Sequence, residues 1–248
     1  MKAMILAAGL GTRLRPLTDN RPKALVEIAG RTMLEITLSR LRESGVSEVI
    51  VNIHHFADMV VDYLKAHDNF GMRIEVSREK LLLDTGGGLK KSAWFFQEDG
   101  ELTEQPFVLH NVDVLSTVDL QRMVELHTRS GALATLAVQN RQTSRYLLFD
   151  EHLQLWGQRS AHGGESEIVR PSERPQALAF SGIHVISPRI FDLMTEDRAF
   201  SIVDCYLRLA AAGKKIVGCN VDGAYWTDLG TPENVARASD YLKGRVIS

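Results

Sequence analysis

A glycine-rich and cationic loop near the start of the chain carries the first sign of chemistry. It runs Gly9-Leu-Gly11-Thr-Arg13 and is followed by Arg21-Pro22-Lys23. Glycines let backbone N–H groups come close to phosphate oxygens, and nearby cations add positive charge at the same place. The pattern therefore predicts a phosphate-binding loop.

Two better-known glycine motifs do not fit this loop. The dinucleotide fingerprint G-x-G-x-x-G requires a glycine where Leu14 stands, and the Gly-Lys-Ser/Thr of a Walker A motif occurs nowhere in the sequence. A structural turn with solvated arginines would explain Gly9 and Gly11 alone. The cations and the proline that follow favour phosphate binding over that alternative.

Two aspartates follow short apolar runs. Asp113 lies in Asn111-Val-Asp113, after the run at residues 107–109, and Asp228 lies in Trp226-Thr-Asp228-Leu-Gly230-Thr231. Open α/β sheets place their ligands at the carboxyl ends of strands, and carboxylates suit Mg²⁺. The alternatives are a turn or cap role for Asp113, and a helix cap at Asp228 or Thr231.

Two further segments could contact a ligand. We expect Asp84-Thr-Gly86-Gly87-Gly88 to form a loop before a helix that begins near Gly88, with open backbone donors; a flexible connection is the alternative. Glu173-Arg174-Pro175 alone is typical of a charged turn. His54 and His55 point to opposite faces of a strand, so they do not favour a shared metal ion.

The hydrophobic pattern predicts the elements that position these residues. The apolar run at residues 1–7 favours a buried central strand, and residues 33–41 have helical spacing. Strands and helices then alternate as far as Val138, which predicts an α/β, doubly wound, mixed but mainly parallel sheet. In residues 139–174 the helical period disappears, and short strands with polar turns predict a small antiparallel insertion.

Composition limits the classes of function. The chain has 248 residues, 44% of them hydrophobic, which is enough for one α/β domain with a substantial core. Its 29 basic and 31 acidic residues are interspersed and give no field for nucleic acid or a membrane surface. Two cysteines without CxxC spacing and the lack of a long apolar run predict a cytoplasmic protein without a membrane span.

The segment AAGLGTRLRPLT, followed by RPKAL, resembles the signature loop of the nucleotidyltransferases that make NDP-sugars. The resemblance covers nearly the whole chain. It implies a Rossmann-like nucleotide-diphospho-sugar transferase fold in a single domain, residues 1–248, with a nucleotide-binding half at 1–138 and a sugar-binding half at 139–248. It also implies a nucleoside triphosphate and a sugar 1-phosphate as partners and Mg²⁺ as cofactor.

The same resemblance implies roles for individual residues. The implied nucleotide-binding residues are Ala8, Gly9, Gly11, Thr12, Arg13, Lys23, Gly86 and Gly87. The implied sugar-binding residues are Asn111, Glu173, Arg174 and Gly182. Asp113 and Asp228 would hold the metal, and Arg13, Lys23 and Asp113 would be catalytic. Val112 stands where the family usually has glycine, and Arg174 where it usually has lysine.

The reaction so implied is an in-line attack by the sugar-phosphate oxygen on the α-phosphorus of the triphosphate, with release of pyrophosphate. Two alternatives stay open: a nucleotide-binding or NDP-sugar-binding protein that has lost catalysis, and a cytidylyltransferase for a non-sugar phosphate. Neither the base nor the sugar is identified. Asp84-Thr-Gly-Gly-Gly88 and Phe180-Ser-Gly-Ile183 both resemble a branch of the family that takes an N-acetylated or otherwise bulky hexose, and three glycines without side chains would leave room for such a substituent. The oligomeric state is also open, a homo-oligomer included.

Overall fold

The computed structural model describes residues 1–161, 163, 166–170 and 175–246. The chain forms two compact units, each assembled from discontinuous segments. The first contains Met1–Leu82, His110–Thr117 and Tyr225–Ser248, and the second contains Leu83–Leu109 and Val118–Ala224. The functional division at residue 138 stays a prediction.

The described elements alternate between strands and helices along much of the chain. The strands are β1 (Lys2–Leu6), β2 (Glu27–Ile28), β3 (Arg31–Thr32), β4 (Glu48–Ile53), β5 (Arg73–Arg78), β6 (Gln97–Glu98), β7 (Glu101–Leu102), β8 (Phe107–Asn111), β9 (Val114–Ser116), β10 (Ala134–Gln139), β11 (Arg145–Phe149), β12 (Leu155–Ser160), β13 (Glu167–Ile168), β14 (Gln176–Ile186), β15 (Ile216–Asn220) and β16 (Trp226–Asp228). The α-helices are α1 (Met33–Glu43), α2 (Ala57–Ala66), α3 (Asp84–Lys91), α4 (Leu120–Ser130), α5 (Ile202–Ala211) and α6 (Pro232–Val246). Short 3-10 helices occupy Thr12–Leu14, Lys23–Leu25, Asp68–Gly71, Ala93–Phe96 and Pro188–Leu193.

A parallel sheet organises the first unit. Strand β4 pairs with β1 on one side and β5 on the other, and Met4 lies opposite Ile50. Ala3, Met4 and Ile5 are fully buried, as the apolar run predicted for a central strand. Because these strands are parallel, the loops that follow them leave from one edge of the sheet.

The second unit is built around β10. This strand pairs antiparallel with β14 and parallel with β15, while β11, β12 and β13 continue from β14 as antiparallel strands. The β10–β14 register shifts between Leu136 and Val138, and Gly182 in β14 has a φ of 71°. Glycine tolerates that left-handed backbone at a bulge. The predicted fold class, a mixed and mainly parallel sheet with an antiparallel insertion, is confirmed.

The second glycine cluster lies inside a helix, so the prediction of an open loop before a helix was wrong. Gly86, Gly87 and Gly88 are buried within α3. A Cβ on Gly86 would stand 2.3 Å from Phe200 Cε2, and a Cβ on Gly87 would stand 2.9 Å from Leu83 Cβ. The Gly86 N–H also donates to the Phe200 carbonyl at 2.9 Å. These glycines allow α3 to pack closely against its neighbours in the second unit.

We expect Gly86→Ala to destabilise the protein. The new methyl group would require both the ring and the carbonyl of Phe200 to move, and overpacking of this kind costs about 1–3 kcal/mol. That cost exceeds the roughly 1 kcal/mol that alanine gains over glycine in a helix. Gly223→Ala is the matched control, because no atom lies within 4 Å of the position that its methyl group would occupy. Urea unfolding should separate the two variants, and equal stabilities would contradict the packing argument.

Three other features bear on the predictions. Residues Pro188–Leu193 form a 3-10 helix, and the short strand β9 was not predicted. Cys205 and Cys219 are buried free thiols. Within the described part of the chain, no helix combines the length and apolar character needed to cross a membrane.

Candidate active site

The first glycine loop lies in the first unit and is anchored at Gly11. This residue has a φ of 65°, and its carbonyl accepts a hydrogen bond from Thr18 Oγ1 at 2.8 Å. A Cβ there would lie 2.9 Å from Thr18 Cγ2 and 3.2 Å from Lys23 Cβ. Leu14, at the end of the following 3-10 helix, is fully buried. The loop is therefore held by packing on one side.

The other side of this loop is open. Nothing lies within 4 Å of the position that a Cβ on Gly9 would occupy. Gly9, Thr12 and Arg13 are all exposed, and Ala8 is partly exposed. A ligand can therefore approach the backbone near Gly9 closely, as an anion-binding loop requires.

An ion pair joins the second part of the cationic motif to the first candidate metal ligand. Lys23 begins the 3-10 helix after Pro22, and its Nζ pairs with Asp113 Oδ2. The two side chains are 11% and 24% exposed, respectively. Water and salt screen such an enclosed pair less than an ion pair on the open surface. The fold thus places a cation directly against the Asp113 carboxylate.

A short antiparallel ladder brings the two candidate metal ligands together. Strand β9 pairs with β16 so that Val114 lies opposite Asp228. The Leu229 N–H extends this pairing by donating to the Asp113 carbonyl at 2.7 Å. The backbones of Asp113 and Asp228 are therefore neighbours, although 115 positions separate them in the sequence.

The contacts around Gly230 explain why the motif has a glycine two positions after Asp228. The Gly230 N–H donates to Asp228 Oδ1 at 3.0 Å. A Cβ on Gly230 would lie 2.6 Å from that oxygen and 2.8 Å from Arg13 Nη2. The Arg13 guanidinium and the Asp228 carboxylate therefore lie on the same side of Gly230, and any side chain at this position would displace one of them.

The valine before Asp113 is accommodated without strain. Val112 is 3% exposed, and its N–H donates to the Leu6 carbonyl at 3.1 Å. Its φ is negative, so the backbone at this position does not need a glycine. The replacement of the usual glycine by valine therefore leaves the turn that carries Asp113 intact.

His110 is buried next to the site, and the sequence did not reveal its role. It is 1% exposed, and its Nδ1 donates to the Asn111 carbonyl at 2.8 Å. Burial, reinforced by the charge of Arg40, lowers the pKa of His110 to about 4; the hydrogen bond to Asn111 and the charge of Asp113 oppose that shift. The ring is therefore neutral near pH 7 and supports the turn that contains Asp113.

This burial predicts a pH-dependent stability. The folded pKa of His110 is about 4 and the ordinary value is 6.5, so the unfolded chain binds the proton more readily between these values. The contribution of the neutral His110 ring to stability is therefore fully present above about pH 6.5. It is lost as the pH drops toward 4, which lowers the free energy of unfolding by up to about 3 kcal/mol. Burial also lowers the pKa of His127 to about 4, which adds a slope of the same sign.

The contribution of His110 to this pH dependence can be measured by comparing the free energy of unfolding of wild type with that of His110→Gln. We expect the free energy of unfolding of the variant to depend less steeply on pH between 7 and 4, because glutamine does not titrate. Urea unfolding at several pH values provides the measurement. Parallel curves for the two proteins would contradict the assignment of His110 as a buried neutral ring.

Comparison with known proteins identifies the family. The model of the family described as nucleotidyl transferase matches residues 2–244. The N-acetylmuramate alpha-1-phosphate uridylyltransferase of Caulobacter vibrioides is 34% identical, with 93% of this chain and 92% of that protein covered. The chain belongs to the nucleotidyl transferase family. The predicted enzyme class, a sugar-1-phosphate nucleotidyltransferase, is confirmed.

A further relative and a solved structure are also similar to this nucleotidyl transferase. The UTP–glucose-1-phosphate uridylyltransferase of a Synechocystis species is 30% identical over 93% of this chain, which spans 60% of that relative. A crystal structure of UDP-glucose pyrophosphorylase complexed with UDP-glucose has a TM-score of 0.78, with 19% identity and 98% of each chain covered. That structure supports the predicted nucleotide-diphospho-sugar transferase fold.

The predicted site residues of the nucleotidyl transferase divide between the two units. The first unit holds Ala8, Gly9, Gly11, Thr12, Arg13, Lys23, Asn111, Asp113 and Asp228, and the second holds Gly86, Gly87 and Gly182. Glu173 and Arg174, predicted to bind the sugar, lie outside the described residues. The first unit thus contains every residue predicted to act in catalysis or metal binding.

The histidines add no metal site to this set. His54 Nδ1 donates to the Glu79 carbonyl at 2.9 Å, and the His55 ring packs against Phe56. Among the described residues, no three His, Cys, Asp or Glu side chains are grouped so that they could hold a metal ion.

Proposed function

We propose that this enzyme binds one Mg²⁺ through Asp113 and Asp228 and joins a nucleoside triphosphate to a sugar 1-phosphate. The β9–β16 ladder carries the proposal, because it makes the two aspartates neighbours. Mg²⁺ prefers oxygen ligands and is commonly held by one or two carboxylates together with substrate phosphates. The two carboxylates and the phosphates of a bound triphosphate fit that set. Bound there, Mg²⁺ would neutralise phosphate charge and orient the reacting groups.

The protein side chains supply the remaining charge. Lys23, which pairs with Asp113, would bind a phosphate oxygen near the same carboxylate. Arg13, whose guanidinium lies beside Gly230, would hold the departing pyrophosphate. The reaction transfers a nucleotidyl group from pyrophosphate to the sugar phosphate, and both reactants are anions, so positioning and charge neutralisation do most of the work and no protein nucleophile is needed.

The open backbone at Gly9 gives a direct test of phosphate binding by the first loop. Gly9→Ala should leave the fold unchanged, since its methyl group meets no protein atom within 4 Å. The methyl group would instead occupy space that phosphate needs, and we expect the triphosphate KM to rise about tenfold or more. An unchanged KM would remove Gly9 from the site. The melting temperature is the control, and it should match that of wild type.

The sugar is proposed to carry an N-acetyl or comparably bulky substituent, with UTP as the nucleotide. The support is the Caulobacter relative, which is named for N-acetylmuramate 1-phosphate and is covered over 92% of its length. The glycines at residues 86–88 do not leave open space for a sugar substituent, because Phe200 and Leu83 pack where side chains on Gly86 and Gly87 would lie. They therefore do not support this specificity.

A substrate matrix tests these proposals. Pyrophosphate release should be measured for UTP, GTP, dTTP and CTP against N-acetylmuramate, mannose and glucose 1-phosphates. We expect the highest kcat/KM for UTP with N-acetylmuramate 1-phosphate, by about tenfold or more over glucose 1-phosphate. Best turnover of an unsubstituted hexose would overturn the sugar assignment. Nucleotide binding without any turnover would instead favour a protein that has lost catalysis.

We propose a cytoplasmic enzyme because Cys205 and Cys219 are free thiols, which suits a reducing compartment.

A further inference from the structure

Helix α6 carries two side chains that lead to the Asp228 carboxylate. Asn234 Nδ2 donates to Asp228 Oδ2 at 3.1 Å, and Arg237 Nη2 donates to Asn234 Oδ1. Residues three positions apart lie on the same face of a helix, so α6 presents both side chains together. All three residues belong to the first unit.

Arg237 reinforces the orientation in which the donor end of the Asn234 amide faces the aspartate. An asparagine amide has a donor end and an acceptor end. Because the guanidinium can only donate, it retains the carbonyl end of Asn234, and the NH₂ end then points at Asp228. The reversed amide would place its oxygen against the carboxylate and its NH₂ against the guanidinium, which is unfavourable at both ends.

The bonds at Asp228 restrain its carboxylate without using all of its acceptor capacity. Oδ1 accepts the Gly230 N–H at 3.0 Å and Oδ2 accepts the Asn234 amide. An ionised carboxylate has about four lone-pair sites, so two remain for other partners. Hydrogen bonds of this kind fix the orientation of a carboxylate that binds a metal, and their removal typically weakens metal binding about 10- to 100-fold.

We propose that Asn234, oriented by Arg237, is a positioning residue that sets the divalent-cation affinity of Asp228. The inference depends on the proposed role of Asp228 as a metal ligand. It assigns a function to the start of α6 beyond capping, although Asn234 also joins the cap through its backbone N–H, which donates to Thr231 Oγ1 at 3.3 Å.

Binding of Mn²⁺ alone, followed by the loss of the free-ion EPR signal, provides a readout independent of turnover. Asn234→Ala should weaken Mn²⁺ binding about tenfold or more. Arg237→Gln should weaken it by a smaller factor of about 2 to 5, since the amide remains and only one of the two contacts that fix its orientation is lost. Melting temperatures should be measured alongside, and Arg237 is exposed, so its replacement tests the inference even if Asn234→Ala folds poorly.

The sign of the Arg237→Gln effect separates orientation from general electrostatics. Removing a positive charge near a cation site should strengthen cation binding if only the charge matters. Lys243→Gln is the matched control, because it removes one exposed positive charge from the same helix. We expect this control to bind Mn²⁺ as well as wild type or slightly better, whereas Arg237→Gln binds it less well.

Asp228→Asn distinguishes failure of the inference from failure of the proposed metal site. If Asp228→Asn binds Mn²⁺ no more weakly than wild type, Asp228 is not a ligand and both ideas fall. If Asp228→Asn loses binding while Asn234→Ala and Arg237→Gln stay within twofold of wild type, only the positioning role of Asn234 is wrong. Stronger binding by Arg237→Gln would also overturn it.

Discussion

Replacing Asp113 by asparagine is expected to lower kcat on the order of 100-fold or more, because the variant removes a charge that the proposed metal site needs. Asparagine has nearly the same shape, so the turn held by the Val112–Leu6 hydrogen bond should persist. The loss should therefore reflect charge rather than misfolding. Initial rates of pyrophosphate release over a range of Mg²⁺ concentrations would measure it, and more Mg²⁺ should restore part of the rate.

The ion pair with Lys23 requires a stability control for this prediction. Asp113→Asn leaves the largely enclosed Lys23 ammonium without its carboxylate, which adds a cost in folding free energy. The double variant Lys23→Met/Asp113→Asn removes that unpaired charge. Asp240→Asn, an exposed change on α6, is the control for losing one carboxylate. If Asp113→Asn folds and retains full activity, the metal assignment of Asp113 is wrong.

Asp228→Asn should be as inactive as Asp113→Asn, and it should also destabilise the folded protein. Both Asp228 oxygens accept hydrogen bonds, from the Gly230 N–H and from the Asn234 amide. An asparagine would turn an NH₂ group toward one of these donors and lose that bond. We therefore expect a melting temperature below that of wild type for Asp228→Asn, in addition to the loss of activity.

The sequence predicted the chemical groups of the site better than the contacts that bring them together. Glycine, cation and carboxylate positions follow from motifs at the ends of apolar runs. Strand β9, in contrast, has three residues, too few for a period of two to be recognised. Its pairing with β16 is a long-range contact, which local patterns do not reveal, yet it makes Asp113 and Asp228 neighbours.

At the three glycines of α3, the local sequence pattern predicted the wrong structure. Consecutive glycines disfavour a helix by about 1 kcal/mol each, so the sequence pattern favours a loop. Here close packing overrides that preference, because only glycine leaves room for the Phe200 ring beside α3. Asn234 gave no signal at all, since an asparagine early in a helix is ordinary and its bond to Asp228 is visible only in the folded chain.

Arg13 is the residue for which transition-state binding can be tested most directly. Its guanidinium lies beside Gly230, on the same side as the Asp228 carboxylate, within the first unit. Negative charge builds on the leaving pyrophosphate as the bond to the α-phosphorus breaks. A cation that binds this charge more strongly in the transition state than in the bound substrate raises kcat as well as affinity.

We therefore expect Arg13→Ala to lower kcat on the order of 100-fold while raising the triphosphate KM much less. Arg13→Lys should recover only part of the rate, because an ammonium cannot reproduce the planar fork of a guanidinium. Arg15→Ala is the matched control: it removes an arginine two positions along the same loop, whose Nε lies 3.5 Å from Asp19 Oδ1. Steady-state kinetics with the preferred triphosphate provides the measurement. A large rise in KM at constant kcat would mean that Arg13 binds substrate and transition state equally, and its catalytic role would be reduced to anchoring the triphosphate.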